Sequence, residues 1–197
     1  KMLLFYGLGN NESKYLQTKH NAGRIVLEKM VDQLGLTWQK QPQFTFTKTL
    51  LFEKELYFLL SNGYMNTSGQ PLAAFVKYFK LDFKNFASKL IILHDDSDQN
   101  PGQIKLLPAG GSAGHKGVQS IYDHSLGLGL SLEQIWRLKI GIRPYMNRQK
   151  SETFVLSRLS LQEQEKLHDL GVELVELLPK MTGEEWSKLQ TRLNTNK

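Results

Sequence analysis

The 197-residue chain contains no cysteine, which excludes a disulfide framework and catalysis by a thiolate. No apolar run approaches the roughly 20 residues that a membrane-spanning helix needs, and the longest runs, such as Leu56–Leu60, have the length of a strand. Repeats and low-complexity segments are absent too. No secretory leader pattern precedes the first apolar run, which begins at Met2. The sequence therefore predicts one globular domain over residues 1–197.

Acidic residues are in the minority. Nineteen Asp and Glu stand against 25 Lys and Arg, which gives a net charge of +6 and a sequence pI of about 9.4. Such a balance favours an anionic partner, with nucleic acid first and a membrane surface second. A basic protein without any special partner is an equally good interpretation of the charge alone.

Apolar periodicity predicts strands that alternate with helices. Strands are predicted at residues 2–8, 45–53, 56–61, 89–94, 103–107 and 136–142. Helices are predicted at residues 21–34 with Asn21 as cap, 68–79, 118–124, 161–178 and 184–193. The hairpin is expected to turn at Lys54 and Glu55, and Pro179 and Gly183 are expected to separate the last two helices. This alternation predicts an α/β fold with a mixed, largely parallel sheet.

Ligands in such sheets bind beyond the carboxyl ends of the strands. Three predicted strand ends carry polar or small residues, at Gly7–Asn10, His94–Asp98 and Gly110–Lys116. The first is not a dinucleotide loop, because the third glycine of that motif is missing and Glu12 would repel a pyrophosphate. The three strand ends are the places where we look for chemistry.

His20 stands between the first loop and the start of the first predicted helix. The positive end of a helix dipole disfavours an imidazolium, so the ring there stays neutral and can accept a proton. A lone histidine is more often structural than catalytic. The sequence thus leaves His20 as either a general base or a structural residue.

The cluster His94–Asp98 follows the clearest buried strand. Its adjacent carboxylates are consistent with a divalent cation site, with a solvated turn, or with one Asp that accepts the Nδ1–H of a histidine from elsewhere in the chain. The spacing does not choose among these three interpretations.

Two further loops carry candidate groups. Gly110–Gly114 matches the Gly-x-Ser-x-Gly pattern of a nucleophilic serine at Ser112, with Asp123, His124 and His168 as candidate partners. Pro108 interrupts the preceding strand, and small-residue loops match this pattern often by chance. In the segment 62–69, Asn66 either presents its amide to a substrate or lies in an ordinary loop that Ser68 caps.

Taken together, these segments resemble the bacterial-type peptidyl-tRNA hydrolase family. The resemblance rests on motifs that occur in the family's order over roughly residues 2–160, so that they support one another. They are Gly7-Leu-Gly-Asn10, Tyr15, Thr18-Lys-His-Asn-Ala-Gly23, Tyr64-Met-Asn-Thr-Ser-Gly69, His94-Asp-Asp-Ser-Asp98 with Pro101-Gly102, Gly110–Gly117, Arg137–Ile142 and Phe154-Val-Leu156.

The resemblance implies a single-domain, three-layer α/β/α monomer that uses neither a metal, nor a cofactor, nor a covalent serine. It implies a catalytic pair of His20 and Asp95, with Asn10 and Asn66 lining the site. Two more residues are placed against the substrate: Met65 is expected near the reacting end, and Tyr15 in contact with the substrate. The C-terminal helices, at about residues 160–193, are expected to pack on the site or cover it.

The chain departs from the family pattern at several positions. Asn11 and Glu12 replace Pro-Gly, and Ser97 replaces an apolar residue. Lys116 replaces an Asn associated with the substrate peptide and the attacking water; a lysine donates hydrogen bonds but cannot accept one. The basic pair that grips phosphate in the family maps onto Leu107 and Lys139. We therefore expect Lys105 to compensate for the missing cation.

These observations predict a hydrolase of peptidyl-tRNA, with a non-catalytic RNA-binding relative of the same fold as the alternative. Phosphate contacts are predicted at Lys105 and Lys139. The wider set of candidate cations also includes Lys116, Arg143, Arg148 and Lys150. We expect neither a membrane nor a metal as partner, and a location in the cytoplasm or, if a targeting peptide has been removed, in the matrix of an organelle.

Overall fold

The sheet is built around the apolar segment at the start of the chain. All six residues of β1 (Met2–Gly7) are buried, as expected for a strand that is covered on both faces. The computed structural model describes residues 2–81, 83, 89–144, 146, 150–182 and 186–195. Within them, β1 is the fourth of seven strands in one sheet, whose order is β2-β3-β4-β1-β5-β7-β6.

The described strands and helices follow the predicted alternation. The other strands are β2 (Gln39–Lys40), β3 (Phe44–Leu51), β4 (Lys54–Ser61), β5 (Lys89–Asp96), β6 (Ile104–Pro108) and β7 (Ile135–Gly141). The helices are α1 (Ala22–Gln33), α2 (Gly69–Phe79), α3 (Lys116–Ser125), α4 (Ser151–Phe154), α5 (Leu161–Thr182) and α6 (Trp186–Thr195). Sequence patterns missed β2 and α4, which are too short to show a period.

The four central strands, β4, β1, β5 and β7, run parallel to one another. β3 and β6 run antiparallel to them, and the short β2 pairs antiparallel with β3. Alternate residues of β1 enter two cores. Leu3 and Phe5 pack with α1, α5 and α6 on one face of the sheet. Leu4 and Tyr6 pack with α2 and α3 on the other. The predicted mixed, largely parallel sheet and the three-layer α/β/α arrangement are thus confirmed.

Two predicted boundaries are wrong. The hairpin turns at Phe52 and Glu53, which have φ angles of 52° and 58°, and Lys54 already belongs to β4. Two residues with positive φ match the twist of the flanking strands, so the turn forms despite the apolar Phe52.

Pro179 lies inside α5 instead of ending it. Its neighbours Leu177 and Leu178 are buried in the core, and this packing offsets the roughly 3 kcal/mol cost of a helical proline. Gly183 and Glu184, where the last helix was predicted to begin, lie outside the described residues.

The first turn of α1 packs against the end of β5 so closely that only glycine fits there. A Cβ at Gly23 would lie 2.1 Å from the main-chain oxygen of Leu93. Backbone cannot yield as a flexible side chain does, so α1 would have to move away from the sheet. This contact fixes the helix start that follows His20 relative to the strand that carries Asp95.

We expect Gly23→Ala to destabilise the fold by about 3 kcal/mol or more, because overpacking against backbone cannot be relieved by a rotamer change. Urea unfolding followed by circular dichroism measures this loss. The control is Gly127→Ala, since a Cβ at Gly127 meets nothing within 4 Å. An unfolding midpoint for Gly23→Ala equal to that of the control would show that the close approach is wrong.

Helices long and apolar enough to cross a membrane are not found among the described residues.

Candidate active site

Three chain segments meet beyond the carboxyl ends of β1 and β5. A single helical turn at Lys19–Asn21 carries His20, β5 ends in His94, Asp95 and Asp96, and His115 immediately precedes α3. They surround a cleft of about 250 Å³. The cleft is lined by His20, His94, Asp95, Asp96, Ser97, Asp98, Ser112, Ala113, Gly114, His115, Lys116, Arg137, Lys139, Ser151, Glu152, Val155 and Leu156.

His20 and Asp95 are in direct contact. The Nδ1 of His20 lies 2.8 Å from Oδ1 of Asp95. Burial of Asp95 disfavours its charged form, but the two nearby histidines, His20 and His115, outweigh burial and hold the pKa of this carboxyl well below its usual value. Since an ionised carboxylate only accepts hydrogen bonds, His20 donates from Nδ1. In the neutral ring Nε2 then carries no proton, and it receives no hydrogen bond from the residues that the structure describes.

Asp95 has a second histidine partner, His115, which sequence reasoning missed. The Nε2 of His115 lies 3.0 Å from the same Oδ1, and its Nδ1 accepts a hydrogen bond from the main-chain N–H of Val118 at 3.3 Å. These two contacts assign the proton of neutral His115 to Nε2. The available signal was its position three residues before the predicted helix 118–124, close to where a side chain caps free N–H groups.

His94 packs behind this pair as a neutral ring. Its Nδ1 donates to the main-chain oxygen of Asp95 at 2.8 Å, and its ring stands edge-on to that of His115, with 4.8 Å between centroids. Burial is the main cause that lowers the pKa of His94, to about 3. His94 therefore holds Asp95 in place and takes no part in proton transfer near neutral pH.

The described residues hold one group of potential metal-ligating atoms, and the sequence suggested a second at His94–Asp98; neither fits a cation well. Ligand atoms of His20, Asp95 and His115 lie within 4.8 Å of one another. Coordination through Nε2 of His115 requires a neutral ring protonated at Nδ1, and that proton would face the N–H of Val118. In the other cluster, the carboxylate of Asp96 is occupied by Lys139, Gln99 and the N–H of Asp98.

Asn10 is held from two sides. Its side-chain oxygen accepts the N–H of Met65 at 2.8 Å. Its main-chain N–H and oxygen pair with the side chain of Asn21, each at 2.9 Å. The prediction that Asn21 caps α1 is therefore wrong, because its side chain is used on this loop and makes no cap hydrogen bond. Asn10 and buried Met65 lie beside the His20 turn, but neither lines the cleft.

Asn66 belongs to a second, polar cavity of about 560 Å³, between α2 and α3. The two cavities share Ser112, Gly114 and Lys116 along their linings. Asn66 is exposed, so its amide is available to a ligand that spans both cavities. Tyr15 does not line the His20 cleft, and its ring is covered by the ammonium of Lys14, 4.8 Å from the centroid.

Ser112 lacks the surroundings of a nucleophile. The strand before it, β6, is an antiparallel edge strand and not the parallel strand of a nucleophile elbow. Its hydroxyl contacts no histidine within the described part of the chain. His124 donates its Nδ1–H to the oxygen of Ser120 instead. In this arrangement Ser112 only lines the wall of the cleft.

The amino-acid sequence matches the family model for peptidyl-tRNA hydrolase over residues 4–197. This chain belongs to the peptidyl-tRNA hydrolase family. A peptidyl-tRNA hydrolase of Thermodesulfovibrio yellowstonii is 33% identical over 195 residues, which cover 98% of this chain and 99% of the relative. One of Aromatoleum aromaticum is 29% identical over 191 residues, or 97% and 93% of the two chains. A crystal structure of the peptidyl-tRNA hydrolase of Acinetobacter baumannii is similar with a TM-score of 0.78 and 30% identity, covering 100% of this chain and 95% of that one.

The family resemblance seen in the motifs is thereby confirmed. These relatives are all named for a hydrolase, and the comparisons give no support to the non-catalytic alternative.

The basic residues predicted as candidate phosphate contacts differ in whether their charge is already paired with another side chain. Lys105 and Lys139 are opposite each other on β6 and β7, but Lys139 is tied to Asp96 by a 2.7 Å ion pair. Arg143 donates to Ser151 at 2.8 Å and covers the ring of Phe154. Lys116 and Lys150 are exposed. Arg148 lies outside the described residues.

The turn that carries His20 is clamped by the segment before α5. The N–H of His20 donates to the oxygen of Val155 at 2.7 Å, and that of Lys19 to Ser157 at 3.0 Å. The buried Lys19 ammonium contacts both carboxylate oxygens of Glu163 at 2.8 Å. Burial would raise the pKa of Glu163, but Lys19 and Ser160 outweigh it and lower that pKa. Apart from this clamp, α5 and α6 pack on α1 and β6, and neither helix contributes to the lining of the cleft.

Proposed function

We propose that this chain hydrolyses peptidyl-tRNA at the ester between the peptide and the 3′-terminal ribose, using a water molecule that His20 activates. The observation that carries the proposal is the 2.8 Å contact between His20 Nδ1 and Asp95 Oδ1. In the neutral form of the ring, this contact leaves Nε2 as the base on the wall of the cleft. An ester is easier to cleave than an amide, so a positioned base is sufficient to make water the nucleophile.

In the proposed reaction, Nε2 of His20 takes a proton as the water oxygen attacks the ester carbonyl. The imidazolium that forms is stabilised by the carboxylate of Asp95. When the carbon–oxygen bond to the ribose breaks, the same proton passes to the ribose oxygen. The products are a tRNA with a free 3′ hydroxyl and a peptide carboxylic acid, which releases its remaining proton to the solvent and leaves as the carboxylate.

The negative charge that develops on the carbonyl oxygen requires donors. Lys116 lines the cleft, and it begins α3, whose first N–H groups have no partner within the helix. We assign the oxyanion to this corner of the cleft. The exposed amide of Asn66 is proposed to hold the peptide backbone or the ribose, which gives proximity to the base. Asn10 is proposed to position the neighbouring loop through its hydrogen bond with Met65.

The tRNA is proposed to bind along β6 and β7, through its acceptor stem. Lys105 is half-buried there without an ion pair to any described residue, so it is better placed for a phosphate than Lys139. Because the proposed substrate is a tRNA, we propose that the chain acts where translation takes place, in the cytoplasm or the matrix of an organelle. The chain is proposed to act there as a monomer.

We expect Lys105→Ala to weaken tRNA binding about three- to tenfold at low salt and to reduce the slope of log Kd against log salt by about 1, as for the loss of one phosphate contact. The measurement is a salt titration of tRNA affinity. Lys40→Ala is the control, because Lys40 is exposed on β2, at the opposite edge of the sheet. Equal slopes for the Lys105 and Lys40 variants would place the tRNA elsewhere.

The proposed function is tested by incubating the chain with N-acetyl-aminoacyl-tRNA and measuring both binding and release of the acyl group. Release by the wild type supports a hydrolase. Binding without release, restored by Lys116→Asn, would instead identify a binding relative whose active site has drifted at that position.

A further inference from the structure

His20 lies in a tight helical turn, Lys19–Asn21, that leads into α1 without a side-chain cap. The first N–H groups of a helix have no acceptors within it, and helix ends fray. Here the acceptors lie in the segment that follows α4. The N–H of Lys19 donates to the oxygen of Ser157 at 3.0 Å, and that of His20 to the oxygen of Val155 at 2.7 Å. The position of the base therefore depends on how firmly that segment and the turn are held together.

The side chain of Lys19 extends this connection to the start of α5. Its ammonium group contacts both carboxylate oxygens of Glu163 at 2.8 Å and the main-chain oxygen of Arg158 at 3.2 Å, so that three N–H donors meet three acceptors. The side chain of Lys19 is 7% exposed and that of Glu163 is 19% exposed. Shielding from water strengthens a charge-assisted contact of this kind. Lys19 thus ties the His20 turn to Glu163.

Glu163 is itself fixed at the beginning of α5, which is 22 residues long. Its Oε2 accepts the N–H of Ser160 at 2.7 Å, while its own N–H donates to the hydroxyl of Ser160 at 3.2 Å. This reciprocal arrangement is a capping box. The helix that follows buries Leu167, Leu170 and Leu174 in the core and packs against α1. Lys19 is therefore joined to a well-packed part of the fold.

Neither Lys19 nor Glu163 lines the cleft, so an effect of this pair on the reaction passes through His20. The Nδ1 of His20 lies 2.8 Å from a carboxylate oxygen that belongs to β5. A shift of the turn by about 1 Å takes the two atoms out of hydrogen-bond distance, and a misplacement of that size can lower a rate about 10²-fold.

We infer that Lys19 and Glu163 are positioning residues for the base, whose ion pair holds the His20 turn where Nδ1 reaches Asp95. The inference rests on the proposed function, since it concerns the same base.

The test measures kcat and KM for N-acetyl-aminoacyl-tRNA. Glu163→Gln removes the charge, but its amide oxygen can still accept the N–H of Ser160, so that α5 stays capped. We expect kcat to fall at least about tenfold and KM to stay within about threefold, because a misplaced base slows the reaction without changing the cleft. Glu165→Gln is the matched control, since Glu165 is exposed on the same helix, and its kcat should stay within about twofold of the wild type.

Two further variants keep the test decisive if Glu163→Gln, with its unpaired buried ammonium, fails to fold. Lys19→Arg keeps a cation that can contact both carboxylate oxygens, and its kcat should stay within about threefold of the wild type. The double variant Lys19→Met/Glu163→Gln removes both charges at once, and its kcat should fall at least about tenfold, because the positioning contact is gone. A double variant with wild-type kcat would overturn the inference, and so would an equal loss in Lys19→Arg.

A proton NMR signal separates positioning from stability and needs no turnover. The Nδ1–H of His20, held by a carboxylate, should give a downfield resonance that is absent in His20→Ala. We expect this resonance to disappear in the double variant and to persist in Lys19→Arg and Glu165→Gln. Its persistence in the double variant would contradict the inference. If the wild type cleaves no ester, the proposed function fails, and the resonance still decides whether the ion pair holds His20 against Asp95.

Discussion

Replacing His20 by Ala is expected to lower kcat for N-acetyl-aminoacyl-tRNA by about 10²–10⁴-fold, the usual contribution of a positioned general base. His20 is the residue whose Nε2 is free while its Nδ1 is held by Asp95. Affinity for tRNA should stay within about threefold, because the side chain is half-buried and away from Lys105. Single-turnover release of the acyl group measures the first quantity, and competition by deacylated tRNA the second.

His168→Ala is the matched control for this experiment. His168 is exposed on α5 and was one candidate partner of a nucleophilic Ser112. Its loss should leave turnover within about twofold of wild type. Near-normal turnover by His20→Ala, or a large loss in His168→Ala or Ser112→Ala, would refute the assignment of the base.

Asp95→Asn is expected to lower kcat by up to about 10⁴-fold, the cost of the equivalent change in Ser-His-Asp triads. Two effects add. The variant removes the negative charge that stabilises the imidazolium, and it lets the amide N–H₂ face His20 and His115, which would turn their donor nitrogens into acceptors. KM should change little, since the buried carboxylate is engaged by the two histidines.

Glu152→Gln serves as the control for charge, because Glu152 is an exposed acid on the wall of the same cleft. The same loss of one negative charge there should cost less than about threefold in kcat. If both variants lost activity equally, the effect would come from the net charge of the cleft and not from orientation of His20. Circular dichroism spectra should match the wild type for both.

Much of this architecture follows from local pattern. The buried strands β1 and β5 are continuous apolar runs that end in polar residues, so the sequence predicts both the parallel sheet and the edge where His20 and Asp95 meet. The pairing itself came from the family resemblance, because nothing in the spacing of His94–Asp98 indicates which carboxylate faces a histidine. In the structure, Asp96 pairs with Lys139, and Asp95 is the carboxylate that contacts His20.

The features of the site that the sequence did not predict depend on contacts between segments that are distant in the chain. His115 reaches Asp95 because α3 begins beside β5, and the Lys19–Glu163 clamp joins residues 144 positions apart. The ion pair between Lys139 and Asp96 likewise could not be predicted without the register of β5 and β7. Pro179 is the opposite case. Its low helix propensity predicted a break, but the packing of α5 keeps the helix continuous.

The most direct test of the account is a rapid-quench experiment with the wild-type chain and N-acetyl-aminoacyl-tRNA, in which free tRNA and free N-acetyl amino acid are measured in the same samples. Attack by a water molecule that His20 activates predicts that both products appear together at one rate, with no burst. A burst of tRNA ahead of the amino acid would reveal an acyl-enzyme and contradict direct attack by water. Bound substrate with no release of either product would contradict the hydrolase itself.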